Sequence, residues 1–222
     1  DNLLLVGGIV FGFIVYPVIF HLLFAGEVAS ASNLLYSRLI FLLWVILLYL
    51  YARKVEHNNY LLWKDNPYGF WSSVGSVCVL YLLCICGGII SVIPRFFGWT
   101  ENDQMMLMLK NLVSKNMPLL IFSAITAGIT EELLFRGYFV PRLELLFKNK
   151  FMPVIVSALV FAAMHYRYKS LYESIFTLLF GIIFALHYQR YRNIKILMIT
   201  YAMVVLISFL LYRQLHTTVH LK

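Results

Sequence analysis

Long apolar stretches recur along this chain, and their length limits the folds that are open to it. Seven of them approach the roughly 20 residues that a helix needs to cross a bilayer; they cover approximately residues 3–24, 34–51, 68–94, 118–140, 152–166, 175–188 and 196–212. Of the 222 residues, 62% are hydrophobic and 13% are charged, whereas a soluble domain has about 45–50% apolar and about 25% charged residues. Since a bilayer cannot satisfy backbone N–H and C=O groups, each stretch must satisfy its own by forming a helix. The sequence therefore predicts an all-α, polytopic membrane bundle of about seven transmembrane helices.

We expect a single membrane domain over residues 1–222. Within it, the N-terminal helices of residues 1–116 show no distinctive pattern, and a core over residues 117–213 holds the unusual polar residues. The net charge is +8, but the lysines and arginines lie mostly in short loops, as juxtamembrane charges do. The expected partner of this charge is therefore a lipid bilayer, and no nucleic acid is expected.

Lysine and arginine are distributed unevenly between the two ends of the predicted helices. The loops after the second, fourth and sixth stretches carry nine of these residues, and the remaining loops and the C-terminus carry seven. The positive-inside rule then places the first group in the cytoplasm. We expect an integral, multi-pass protein of the cell membrane with a cytoplasmic N-terminus and an outer C-terminus.

The fourth stretch contains three charged residues that a bilayer interior disfavours, Glu131, Glu132 and Arg136. Insertion scales put the cost at about 2.5–3.5 kcal/mol for each charge. Glu132 and Arg136 are four residues apart with the acid first, which favours an ion pair on one helix face. Glu131 points about 100° away, so its carboxylate is left free to act as a general base. Two alternatives stay open, a purely structural ion pair and a Glu131 carboxyl held neutral by burial. Arg38, in the second stretch, is expected to reach the outer interface or to pair with an acid elsewhere.

His165, at the end of the fifth stretch, is the polar residue best placed to meet Glu131. The turn between the fourth and fifth stretches falls near residues 148–150, and the two residues are almost equally far from it along the chain. Because both helices rise about 1.5 Å per residue, antiparallel packing puts Glu131 and His165 at the same depth. The sequence therefore predicts that His165 faces the carboxylates, with an interfacial histidine as the alternative.

These residues resemble the CPBP family of intramembrane proteases, which includes CAAX-prenyl endopeptidases and bacteriocin-processing or self-immunity proteins. The family motif Glu-Glu-x-x-x-Arg matches Glu131, Glu132 and Arg136, and the motif Phe-x-x-x-His matches Phe161 and His165. The resemblance covers roughly residues 118–209 and implies that Glu131 activates a water molecule with help from His165. It implies that Glu132, Arg136 and Phe161 shape the site. The implied activity is that of an intramembrane endopeptidase, a peptide hydrolase acting on a membrane-proximal or lipidated peptide or protein.

One further family motif, His-x-x-x-Asn on a later helix, is not matched. Tyr201 stands at its histidine position and Val205 at its asparagine position. A tyrosine hydroxyl can donate a hydrogen bond and a valine side chain cannot, so Tyr201 is the candidate oxyanion donor, with Thr200 and His187 as weaker substitutes. The departure keeps a second hypothesis open, a catalytically degenerate member that acts as a membrane scaffold, chaperone or immunity protein for another membrane or envelope protein. A third is a small transporter that uses Glu131 as a proton site.

No cofactor is expected. A catalytic zinc usually takes three protein ligands. Glu131, Glu132 and His165 are the only candidates predicted to converge, and the sequence has no His-Glu-x-x-His motif. We therefore expect a glutamate-activated water without a tightly bound metal, and a weakly held divalent metal at Glu131 and His165 stays open. His216 and His220 have zinc-capable spacing but are expected to lie in an exposed tail.

Overall fold

The structure is a computed structural model, and it describes residues 2–24, 30–99, 104–166 and 170–219. The histidine pair near the C-terminus falls outside this description, since neither residue 220 nor the side chain of His216 is included. Over the described residues the chain forms helices joined by loops, with no β-strand. Two of the helical runs contain a π-helical stretch. In chain order the helices are α1 (Asn2–Val10), π1 (Phe11–Val15), α2 (Tyr16–Phe24), α3 (Ala31–Lys54), α4 (Phe70–Phe96), α5 (Gln104–Ser114), α6 (Met117–Glu132), π2 (Leu133–Phe139), α7 (Val140–Phe147), α8 (Phe151–His165), α9 (Leu171–Tyr191) and α10 (Ile194–Val219).

The helices account for the predicted apolar stretches. Within the described residues, six helical runs are long and apolar enough to cross a membrane. The fifth stretch forms α8, which has 15 residues and is shorter than a full span. The all-α membrane bundle is confirmed, and the estimate of about seven spans becomes six candidate spans and one short apolar helix. The 11-residue helix α5 lies between the third and fourth predicted stretches and is not one of them.

The run formed by α6, π2 and α7 is the centre of the bundle. The apolar segment of this run is 67% buried, compared with 22–33% for those of the other five candidate spans. It begins where the Asn116 side chain accepts a hydrogen bond from the Leu119 backbone N–H at 3.1 Å, with Pro118 in the first turn. This cap and this proline are both favoured at a helix start. Glu131 lies near the middle of the run, where other helices surround it.

Two glycines let the central helices approach each other closely. A Cβ atom added at Gly128 would lie 2.6 Å from the Met198 carbonyl oxygen, so α6 and α10 meet almost backbone to backbone. A Cβ atom added at Gly181 would lie 2.9 Å from Ala158, which brings α9 equally close to α8. Because the backbones are this close, short and medium-length side chains can meet between neighbouring helices.

The stretch π2 begins directly after the two glutamates. Its wider turns change the direction of the following side chains relative to a regular α-helix. Tyr60, in the loop between α3 and α4, donates its hydroxyl to the Leu133 carbonyl oxygen at 3.1 Å. Burial raises the pKa of the Tyr60 phenol above its usual range, so the group stays protonated and remains a donor. The contact satisfies a backbone acceptor at the junction of α6 and π2.

The loops that were predicted to share one side of the membrane lie at one end of the bundle. The Asn193 side chain donates to the Asn66 carbonyl oxygen at 2.9 Å. The Gln189 side chain donates to the Lys150 carbonyl oxygen at 2.8 Å. These contacts join the loops after the second, fourth and sixth predicted stretches and confirm their grouping. That this end faces the cytoplasm stays a prediction.

Candidate active site

Polar side chains from three other helices meet at Glu131, which lies on α6. Tyr201 on α10 donates its hydroxyl to Oε2 of Glu131 at 2.6 Å. Arg38 on α3 donates from Nη1 to Oε1 at 3.1 Å and forms an ion pair. His165, the last residue of α8, places its Nε2 atom 3.8 Å from Oε2. The Glu131 carboxylate is therefore buried in an apolar bundle and approached by three polar side chains.

Phe161 holds the His165 ring in place. The Nδ1 atom of His165 is 2.8 Å from the Phe161 carbonyl oxygen, and the two ring centroids are 4.5 Å apart. Because a carbonyl oxygen only accepts hydrogen bonds, we assign the ring proton to Nδ1. In the neutral ring Nε2 is then an acceptor that faces Glu131. The prediction that His165 and Glu131 lie at the same depth and face each other is confirmed.

Glu132 forms a separate and fully buried ion pair. Arg136 donates from Nη1 to Oε1 of Glu132 at 2.8 Å, and neither side chain is exposed. Arg136 also donates from Nη2 to the Gly181 carbonyl oxygen at 3.3 Å, which links the pair to α9. Breaking a buried pair typically costs about 3–5 kcal/mol. The predicted pairing is confirmed. The Arg136 guanidinium lies 4.9–5.9 Å from the centroids of four rings, those of Phe135, Phe161, Phe180 and Phe184.

The expectation that Glu131 has no charged partner was wrong. Arg38 pairs with it across 93 residues of sequence, so the alternative that Arg38 pairs with an acid elsewhere is confirmed, with Glu131 as the acid. The signal in the sequence was a lone arginine in an apolar stretch, because such a charge needs a partner inside the bundle. Nothing in the spacing identified which acid it would meet.

Tyr201, the residue at the histidine position of the unmatched family motif, lies beside Glu131. Its hydroxyl reaches Glu131, while Val205, one turn later on α10, is partly buried against the apolar core. Neither weaker substitute contributes a donor here. The Thr200 hydroxyl donates to a backbone carbonyl on its own helix at 2.8 Å, and the His187 ring packs against a tyrosine near the loop end of α9. The structure therefore brings Tyr201 to the site and leaves the other two elsewhere.

The metal-binding capacity of the site is limited by its donor set. Among the described residues no three His, Cys, Asp or Glu side chains converge as a metal site would require. Glu132, which was predicted to converge with Glu131 and His165, is paired with Arg136 instead. Glu131 and His165 together offer two protein ligands to a weakly held divalent metal. The expectation of catalysis without a tightly bound metal stays a prediction.

A second buried ion pair, between Arg142 and Glu56, lies near the end of the bundle that holds the loop between α3 and α4. Arg142 donates from Nε to Oε2 of Glu56 at 2.9 Å and from Nη1 to the Tyr60 carbonyl oxygen at 3.0 Å. The Tyr138 hydroxyl also donates to Glu56. Arg142 is one of the nine basic residues predicted to lie in loops, but its side chain is fully buried. The pair ties the loop between α3 and α4 to α7, and it lies outside the Glu131 cluster.

Comparisons with known proteins agree with the motifs that surround Glu131. Residues 113–207 match the family model described as "Type II CAAX prenyl endopeptidase Rce1-like". The chain is also 32% identical over 159 residues to UPF0177 protein YvdC of Lactococcus lactis subsp. lactis (strain IL1403). That alignment covers 70% of this chain and 57% of the relative, so the chain spans little more than half the length of the curated relative it matches. No solved structure matches the chain. The resemblance inferred from the motifs is confirmed over residues 113–207, where the chain is similar to the Rce1-like members of the CPBP family.

Proposed function

We propose that the protein is an intramembrane endopeptidase that hydrolyses a peptide bond with a water molecule activated by Glu131. The observation that carries this proposal is the convergence of Tyr201, His165 and Arg38 on the Glu131 carboxylate inside an apolar bundle. Arg38 alone would be enough to neutralise a structural carboxylate. A histidine and a tyrosine add groups that hold protons and donate hydrogen bonds, which hydrolysis requires. The match to the CAAX prenyl endopeptidase family supports the same class of reaction.

The gap between Glu131 and His165 is wide enough for the nucleophilic water molecule. Their facing atoms, Oε2 and Nε2, are 3.8 Å apart, which is too long for a direct hydrogen bond and is the separation at which a bridging water is expected. Both atoms are acceptors when the ring proton lies on Nδ1. One water molecule can therefore donate to each of them and direct an oxygen lone pair toward a peptide carbonyl.

In the proposed reaction the water oxygen bonds to the carbonyl carbon, and one water proton moves to Glu131. The two π electrons of the C=O bond move to its oxygen. Once Glu131 is protonated, the Tyr201 hydroxyl turns from Oε2 of Glu131 and donates its hydrogen bond to the resulting oxyanion. When the C–N bond breaks, its electron pair stays on nitrogen. The nitrogen takes the proton from Glu131 and leaves as an amine. The other product is a carboxylic acid that ionises, and Glu131 is again a carboxylate.

The proposed substrate is a membrane-proximal or lipidated peptide or protein. Glu131 lies near the middle of the run Met117–Phe147, among helices whose exposed side chains are mostly apolar. Arg38 and His165 keep 21% and 20% of their side chains exposed, so a peptide can reach the cluster. A substrate at this depth must itself be apolar or anchored, because a polar chain would lose its hydration there. No cofactor is part of the proposal.

A second candidate function follows from Val205 and from the Arg38 ion pair. The site has no amide donor at position 205, and a carboxylate paired with arginine is a weaker base than an unpaired one. Both features favour a catalytically degenerate family member. Such a protein would act as a membrane scaffold, chaperone or immunity protein and would bind another membrane or envelope protein without cleaving it.

Cleavage of a quenched fluorescent peptide library, prenylated peptides included, tests the proposal on detergent-purified protein. We expect the wild type to cleave at least one peptide and Glu131→Gln to abolish cleavage. Glu144→Gln is the matched control, because Glu144 lies on α7 of the same helical run and contacts Gln189 away from the cluster. It should cleave at the wild-type rate. The same assay with and without a chelator tests the expectation that no tightly bound metal takes part.

Two outcomes would contradict the proposal. If the Glu131→Gln variant still cleaves peptides, another residue is the general base. A folded wild type that cleaves nothing would favour the scaffold function, and the next step would then be to isolate a stably bound membrane protein. Thermal unfolding of each variant in detergent separates loss of chemistry from loss of fold.

A further inference from the structure

Arg38 reaches the Glu131 cluster from a part of the chain that the family match does not cover. It lies on α3, whereas the Rce1-like match begins at residue 113. Its Nη1 atom is 3.1 Å from Oε1 of Glu131, on the carboxylate oxygen opposite the one that Tyr201 contacts. The two donors therefore flank Glu131 from different helices, α3 and α10. A carbonyl attacked by a Glu131-bound water would lie within a few ångströms of the carboxylate that both donors contact.

Arg38 differs from Arg136 and Arg142, two arginines that also pair with glutamates. Arg136 and Arg142 have fully buried side chains, and so do their partners. The Arg38 side chain is 21% exposed and the Glu131 side chain 8%. Unlike the pairs of Arg136 and Arg142, this pair can be approached by a peptide without unpacking the bundle. An accessible guanidinium beside a candidate base suggests a role in chemistry and not in packing alone.

We propose that Arg38 is a catalytic residue that donates to the oxyanion together with Tyr201, an inference that rests on the proposed peptidase function. During attack, negative charge collects on the substrate carbonyl oxygen, a few ångströms from the activated water. A guanidinium carries five N–H donors on a rigid plane, and charge-assisted hydrogen bonds are about twice as strong as neutral ones. Arg38 thus supplies, from α3, a donor that Val205 on α10 cannot.

The alternative role for Arg38 is that of a counterion to Glu131, and the two roles predict changes of opposite sign. A nearby positive charge stabilises the ionised carboxylate and makes it a weaker base. If Arg38 were only a counterion, its removal would leave the rate at the pH optimum of each protein unchanged or raise it. If it stabilises the oxyanion, its removal should lower the rate by about 10²–10³-fold, the usual cost of one such donor.

Steady-state kinetics on a cleaved peptide separate the two roles. We expect Arg38→Gln to lower kcat by about 10²–10³-fold with little change in KM, because an oxyanion donor acts in the transition state. Arg38→Lys should keep part of the rate, and added guanidinium ion should partly restore Arg38→Ala. Arg53→Gln is the matched control, since Arg53 lies on the same helix and pairs with an exposed Asn59. A rate that is unchanged or raised in Arg38→Gln would overturn the proposal.

Binding of a peptide phosphonate supplies a readout that does not depend on turnover. A phosphonate at the scissile position carries a tetrahedral anion, and the probe is built on the best-cleaved peptide or, if none is cleaved, on a prenylated CAAX-type peptide. We expect the wild type to bind the phosphonate at least tenfold more tightly than the unmodified peptide, and Arg38→Gln to lose that preference. Equal preference in the two proteins would overturn the role of Arg38. If the preference depends on Arg38 but the wild type cleaves nothing, the anion site stands and the peptidase function fails.

Discussion

At the scale of single residues, the environment of Glu131 decides what its carboxylate can do. Each of its oxygens accepts one strong hydrogen bond, from Arg38 or from Tyr201. A carboxylate has about four lone-pair sites, so both oxygens can still accept from a water molecule. The neighbouring Glu132 is closed off by Arg136. The two adjacent glutamates therefore have different surroundings. A substrate can approach Glu131, whereas Glu132 serves packing.

We predict that Tyr201→Phe lowers kcat by about 10²–10³-fold, because it removes one oxyanion donor and keeps the ring. The measurement is the initial rate of peptide cleavage at saturating substrate. Tyr188→Phe is the matched control. Tyr188 is fully buried on α9, and its hydroxyl has no hydrogen-bond partner among the described residues. The control should stay within about twofold of the wild type in activity. If both variants keep full activity, Tyr201 is not the donor.

At the scale of the helices, the distance between α6 and α10 sets whether the site forms. Glu131 and Tyr201 belong to these two helices and meet at 2.6 Å. The close approach at Gly128 leaves no room for a methyl group, since the nearest atom would be a backbone carbonyl oxygen 2.6 Å away. A backbone atom cannot move aside as a flexible side chain can. The spacing of the helices is therefore determined by this glycine.

We predict that Gly128→Ala forces α6 and α10 apart, costs about 1–3 kcal/mol of stability and lowers peptidase activity as the Glu131–Tyr201 contact lengthens. Thermal unfolding in detergent and the cleavage assay measure the two effects. Gly75→Ala is the control, because Gly75 lies within α4 and an added Cβ atom would meet no atom within 4 Å. It should be neutral or slightly stabilising. A Gly128→Ala protein that matches the control in both assays would show that the two helices can separate without effect.

At the scale of the whole molecule, one end of the bundle gathers the positively charged loops. The Asn66–Asn193 and Lys150–Gln189 contacts hold these loops together. The Tyr51 hydroxyl also donates to the Leu4 carbonyl oxygen at 3.0 Å, and Tyr51 lies near the end of α3 that leads into one of these loops. The first residues of α1 are therefore at the same end. The charge asymmetry favours the cytoplasm for this end.

We predict that a cysteine introduced at Lys148 is labelled by a membrane-impermeant maleimide in inside-out vesicles and is protected in intact cells. Lys148 is exposed in the turn between α7 and α8. Trp99→Cys is the matched position, since Trp99 follows the opposite end of α4 and is 60% exposed. It should give the reverse pattern. Both variants need the native cysteines Cys78, Cys84 and Cys86 replaced. Labelling of Lys148→Cys from outside intact cells would reverse the proposed topology.

The sequence by itself determined the features that depend on residues close together in the chain. The length of each apolar stretch predicted a helix, because a bilayer forces backbone hydrogen bonds to be local. Four-residue spacing predicted the Glu132–Arg136 pair, because those side chains share a helix face. Equal distances along the chain from the turn near residues 148–150 placed His165 opposite Glu131, because helix rise is constant. The family motifs lie in these same local segments.

The tertiary structure alone decided which distant residues complete the site. Arg38 and Glu131 are separated by 93 residues, and Tyr201 and Glu131 by 70. No periodicity fixes how far α3 and α10 rotate and slide against α6. Those choices follow from packing, such as the close approach at Gly128, and packing is a property of all the helices together. The sequence thus identified the glutamate, and only the packed bundle determined which charge and which hydroxyl lie beside it.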